Sequence, residues 1–91
     1  MPLRDVVRKV GNWMRYFFNI AGAVYDPDVV GTELPDLASA RLEAVKYSAE
    51  TLRDRPNVVW LGEEFRVEVT DKDQLVLFTV ITLGIDGPIA R

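Results

Sequence analysis

The chain has 91 residues, 48% hydrophobic and 27% charged, with a formal net charge of −3 and neither cysteine nor histidine. That composition fits one globular domain. It excludes a disulfide framework, a Cys/His zinc site, and catalysis by imidazole or thiolate. No run is long enough to span a membrane, and the first residues lack the apolar stretch of a secretory signal, so the expected location is cytoplasmic.

Charge is uneven along the chain. Residues 1–15 carry Arg4, Arg8, Lys9 and Arg15 against Asp5, a net +3, which leaves −6 for the remainder. An acidic body argues against broad nucleic-acid binding, because phosphate neutralisation needs a basic surface. The basic end reads as a solvated helix face.

In chain order, Leu3, Val6, Val7 and Val10 recur at helical spacing, with Pro2 before them and Gly11 after. Residues 1–13 therefore read as a basic amphipathic helical extension. Residues 15–20, RYFFNI, are aromatic and branched and predict a strand, with Tyr16, Phe18 and Ile20 on one face and Phe17 and Asn19 on the other. Ala21-Gly22-Ala23 reads as a turn, Val24-Tyr25 as a short second strand, and Asp26-Pro27-Asp28 as its break.

Asp36 suits the N-cap of a helix that starts at Leu37 and is stopped by Pro56. Within it, Ala38, Leu42, Val45, Ala49 and Leu52 form an apolar stripe that is expected to pack on a sheet. Residues 58–61, VVWL, read as a short strand or a loop tucked against the core. Phe65, Val67 and Val69 alternate with Arg66, Glu68 and Thr70, the pattern of a strand with one wet face. Residues 71–74, DKDQ, make a hairpin connection. Residues 75–83 then read as a strand buried on both faces, and 84–91 as a tail.

The expected fold is α+β. A small, mainly antiparallel sheet of three to four strands (residues 14–83) carries one long helix on one face, with a short helix before it. The covered face would hold Tyr16, Phe18, Ile20, Phe65, Val67, Val69, Val76, Phe78 and Val80. The opposite face would expose Phe17, Leu77 and Ile81 beside Arg66 and Glu68. A sheet with one helix has one cover, so this second face needs the N-terminal segment, a second copy or another partner.

The chemical inventory is sparse. Ser39 and Ser48 lack a nucleophile-elbow context, and Lys46 and Ser48, two positions apart, point to different sides of their helix. Asp26, Asp28, Glu33 and Asp36 are oxygen donors that could meet a hard cation, but their spacing is not that of a calcium loop, and they read as turn formers and a cap. Glu63-Glu64 and Asp71/Asp73 lie at opposite ends of one strand, too far apart to act as a pair. Tyr16, Phe17 and Phe18 on a strand invite comparison with base-stacking sheets, but the Gly/Lys/Arg surroundings of such sheets are missing.

Three segments carry a resemblance: MRYFFNI from Met14, then DPDVVGTELPDLASARLEA, then FRVEVTDKDQLVLFTV. Together they resemble a family of short bacterial proteins known only as a domain of unknown function, over about residues 14 to 82, with GTELPDL the most specific part. Two departures stand out. A thirteen-residue basic extension precedes Met14, where similar proteins begin, so Met14 is an alternative start. Gln74 stands where a Gly is usual. The resemblance implies no activity and no catalytic residues. A shape analogy to antitoxin partners of small RNA-cleaving toxins rests on the aromatic first strand and the turn before the helix.

The functional expectation is a non-enzymatic protein-interaction domain without cofactor or metal. It would self-associate or bind a protein partner through Phe17, Leu77 and Ile81, with Trp13 as a further anchor. The alternative is a small acidic inhibitor, antitoxin-like or a phage-type defence antagonist, blocking a basic nucleic-acid-binding partner.

Overall fold

The structure, a computed structural model, describes residues 13–89. Strand β1 (Met14–Gly22) is followed by β2 (Thr32–Leu34), helix α1 (Leu37–Asp54), a 3-10 turn (Pro56–Trp60), β3 (Phe65–Thr70) and β4 (Val76–Thr82). The strands form one antiparallel sheet in the order β2-β1-β3-β4. The expected helix over residues 3–10 lies outside the described residues.

Local chemistry explains most boundaries. The Asp36 carboxylate accepts the Ser39 N–H at 2.8 Å, which satisfies one of the orphan donors at the start of α1. Pro56, unable to continue a helix, opens the 3-10 turn and tucks Val58 into the core. The hairpin between β3 and β4 is tied by Asp71, whose Oδ1 accepts the N–H groups of Asp73 (2.8 Å) and Leu75 (3.1 Å). Gln74 completes that turn with φ of +66°, in the left-handed region.

The core lies between α1 and one sheet face. Tyr16, Phe18, Ile20, Phe65, Val67 and Val69 are buried there, with Phe78 and Val80 packed at the margin. Opposite them α1 presents Ala40 and Ala44, both fully enclosed, and Ser48. Small residues let the helix axis approach a sheet face already filled by large aromatics. The Ser48 hydroxyl donates to the Ala44 carbonyl at 2.8 Å, so its burial leaves no orphan polar atom and its hydroxyl is already engaged.

Several expectations are corrected here. The second strand is Thr32–Leu34 rather than residues 24–25, where only an isolated bridge joins Ile20 to Asp26. Ala21 and Gly22 continue β1 instead of turning. Residues 58–61 are neither strand nor plain loop, since most of them belong to the 3-10 turn. The apolar stripe of α1 faces outward: Leu42 is 68% and Val45 55% exposed, Ala38 and Ala49 are exposed, and only Leu52 packs on the core. Finally, β4 is not buried on both faces. None of its residues is buried, because it is the sheet's last strand.

Candidate interaction surface

The sheet face opposite α1 follows from register. Phe17 pairs with Thr70, Asn19 with Glu68, and Ala21 with Arg66, while Glu68 and Arg66 pair in turn with Thr79 and Ile81. Residues paired across strands share a face, so Phe17, Thr79 and Ile81 lie together on the open side, and alternation adds Leu77. A register shift between Val69 and Thr70 sets Thr70 against Val76, which moves Val76 onto the open face rather than under the helix. There it lines a hollow of about 480 Å³ with Phe17, Asn19 and Thr70, walled on one side by Tyr25 and Val29.

The structure therefore places Phe17, Leu77 and Ile81 on one face, with Phe17 half-buried and Ile81 58% exposed. Trp13 stands apart. It sits at the start of β1 near Met14, Arg15 and the Lys72–Asp73 end of the hairpin.

The charges on the open face are paired internally. Arg66 bridges Glu64 and Glu68, each at 3.0 Å. A hydrogen bond from its own backbone N–H, then the Arg66 guanidinium, holds the Glu64 carboxyl below the ordinary carboxylate range.

Beside this face lies a clasp that sequence reading took only as a turn. Asp28 accepts three backbone N–H groups: its Oδ2 takes that of Phe18 on β1 (3.1 Å), and its Oδ1 takes those of Val30 (3.0 Å) and Gly31 (2.9 Å) further along the loop. Its own N–H donates to Asn19 Oδ1 at 2.9 Å. The Asn19 amide in turn donates to the Glu68 carbonyl at 3.2 Å, which fastens loop, β1 and β3 together. Burial pushes the Asp28 carboxyl up, but the backbone donors at Gly31, Phe18 and Val30 outweigh it and leave the pKa lowered. The sign of this clasp was present in the spacing of Asp28 and Gly31, since Gly31 takes φ of +79° and a Cβ there would stand 2.7 Å from Arg15 Cγ.

Two further acidic residues near the loop have structural partners as well. Glu33 pairs with Arg15 at 3.1 Å and Asp36 caps α1. Among the described residues no three carboxylates converge in a group able to hold a metal ion. Between the loop and α1 a second cleft, about 440 Å³, is lined by Asp28, Glu43, Lys46 and Tyr47. Burial, and then the charges of Asp26 and Asp28, push the Tyr47 phenol up. Among the described residues no helix is long and apolar enough to cross a membrane.

An aromatic β1, an Asp28–Gly31 loop, a capped α1 and the β3–β4 hairpin all fall within residues 15–84, the span that matches the family described as a domain of unknown function, DUF6894. The chain belongs to that family. No curated protein and no solved structure matches it. The matched span takes in nearly all of the sheet, the helix and the open face. Residues before Arg15, including Trp13, fall outside it.

Proposed function

We propose that this chain is a non-enzymatic protein-interaction domain that works through the open sheet face and the adjoining edge of β4. The observation that carries this reading is β4 itself: VLFTVIT has no charged residue, and not one of its side chains is buried. Apolar surface of this kind, contiguous and uncovered, marks an interaction site in a small protein. Pairing of Glu64 and Glu68 with Arg66 supports an apolar contact over an acidic, nucleic-acid-mimicking one. The occupation of Ser48, Asp28, Glu33 and Asp36 in holding the fold supports a role other than catalysis.

The test is the double variant Phe17→Asp/Leu77→Asp, checked for folding by circular dichroism. The expected result is a folded protein that has lost the assembly or protein partner of the parent. A folded double variant with unchanged mass and unchanged partners would sink the reading.

A further inference from the structure

The outer edge of β4 has a geometry that can be worked out residue by residue. The Ala23 N–H bonds to the Glu64 carbonyl at 3.1 Å, in line with the β1–β3 register. In an antiparallel pair the backbone groups of alternate residues turn to opposite sides, so Arg66, Glu68 and Thr70 direct theirs to β1. Phe65, Val67 and Val69 direct theirs to β4, where they meet Thr82, Val80 and Phe78. Thr79 and Ile81 are left with N–H and C=O groups pointing away from the sheet, while Leu77 is the extra residue at the register shift between Val69 and Thr70. Among the described residues no strand lies on that side.

We propose that two copies of this chain pair antiparallel through β4, about a twofold axis at Thr79, to make one continuous eight-stranded sheet. The proposal rests on the interaction reading above and names the partner. Its main support is self-complementarity. An antiparallel register centred on Thr79 sets Leu77 against Ile81 of the second copy, Phe78 against Val80, and Thr79 against Thr79. Thr79 and Ile81 direct their backbone groups outward, so the central Thr79–Thr79 pair exchanges both hydrogen bonds. Continued past the strand ends, the same register opposes Leu75 and Leu83, 63% and 58% exposed. Leu77 thus meets Ile81, Leu75 meets Leu83, Thr79 meets Thr79, Val76 meets Thr82, and no like charges are opposed.

A twofold contact of this kind uses the same patch on both partners and closes, so it uses up the free edges instead of propagating them. With the axis normal to the sheet, both helices lie on one side and the two open faces join on the other.

Sedimentation velocity over a concentration series into the high micromolar range tests the inference. The expected result is a reversible shift from the 10.3 kDa monomer to twice that mass. Thr79→Lys keeps the monomer fold, because residue 79 faces Glu68 across β3. It places two lysines side by side at the twofold, and the expected outcome is loss of the dimer. The native chain has no cysteine, so Thr79→Cys gives an unambiguous crosslink. Directly opposed residues stand about 5.5 Å apart between Cα atoms, within disulfide range. Thr79→Cys should therefore oxidise to a covalent dimer, and Leu77→Cys, which faces Ile81, should not.

A parent that stays monomeric throughout would overturn the β4 pairing. It would leave the interaction reading standing if a protein partner is lost in the Phe17→Asp/Leu77→Asp variant. A dimer indifferent to Thr79→Lys would overturn the pairing as well. If it is also indifferent to the double variant, both readings fall.

Discussion

The two edges of the sheet are built on opposite plans. The β2 edge is three residues long, carries the exposed Arg15–Glu33 ion pair at its pairing with β1, and is backed by the Asp28 loop. The β4 edge is seven residues long, uncharged, and follows a tight hairpin straight into open apolar sequence. Proteins ordinarily blunt an edge by shortening it, charging it or covering it. One edge here has all three devices, and among the described residues the other is long, uncharged and uncovered, so the molecule has a closed side and an open side.

The contrast can be broken most severely at Asp28. Asp28→Ala removes the acceptor of three backbone N–H groups, and hydrogen bonds to a charged group are worth about 1.5–3 kcal/mol apiece, with incomplete additivity. A loss of about 3 kcal/mol in urea denaturation is expected, and a loss under about 1 kcal/mol would show that the clasp does not hold the closed side. The same carboxylate predicts an acid limb. Its folded pKa lies below the unfolded one, so its contribution is complete above the ordinary Asp range and declines as pH falls from about 4 through the lowered folded value. Asp28→Asn should flatten that part of the stability–pH curve.

A smaller effect, of opposite sign, is expected at the start of the open side. Gln74 holds φ of +66°, a conformation that costs a side-chain-bearing residue about 1 kcal/mol. Gln74→Gly should raise the denaturation midpoint by an amount equivalent to about 1 kcal/mol and leave the sedimentation profile unchanged. A changed profile would mean that hairpin strain, rather than the bare edge, governs association. The smallest effect belongs to the most visible contact. The side chains of the Arg15–Glu33 pair are 42% and 49% exposed, so Arg15→Met should cost less than about 1 kcal/mol, and that loss should shrink in high salt.

Much of this fold is legible from local chemistry. Asp36 and Pro56 bracket α1, the alternation from Phe65 to Val69 gives β3, and Asp71 ties the hairpin. The positive φ at Gln74 is the conformation that a Gly would take without strain. The orientation of α1 is less legible, for a reason of volume. Periodicity finds the bulkiest stripe, Leu42 and Val45, and assigns it inward. Yet the sheet already supplies Tyr16, Phe18 and Phe65, so the complementary helix surface is the slimmer line Ala40, Ala44 and Ser48. That line at i, i+4 and i+8 was the available signal.

The exposure of β4 was hidden because a run apolar on both faces has two readings, a strand central to the sheet or an apolar strand at its edge. Composition does not separate them. On the candidate site, Phe17, Leu77 and Ile81 share the expected face, but the outward backbone groups at Thr79 and Ile81 follow only from register.

The strand order also bears on how the chain comes together in time. β1 is an inner strand, and its main neighbour is β3, so Phe17 must find Thr70 more than fifty positions further along. Such non-local closure slows folding relative to a helical bundle of the same length. During synthesis the apolar side chains of β1 emerge first and wait for β3 to be made. Helix α1 lies between the two in sequence and, with most of its apolar stripe turned outward, offers the sheet mainly a line of small residues flanked by Tyr47 and Leu52. The consequence is a late, concerted collapse: completing β3 should be the step that commits the domain, and truncation before Phe65 should leave an unfolded chain.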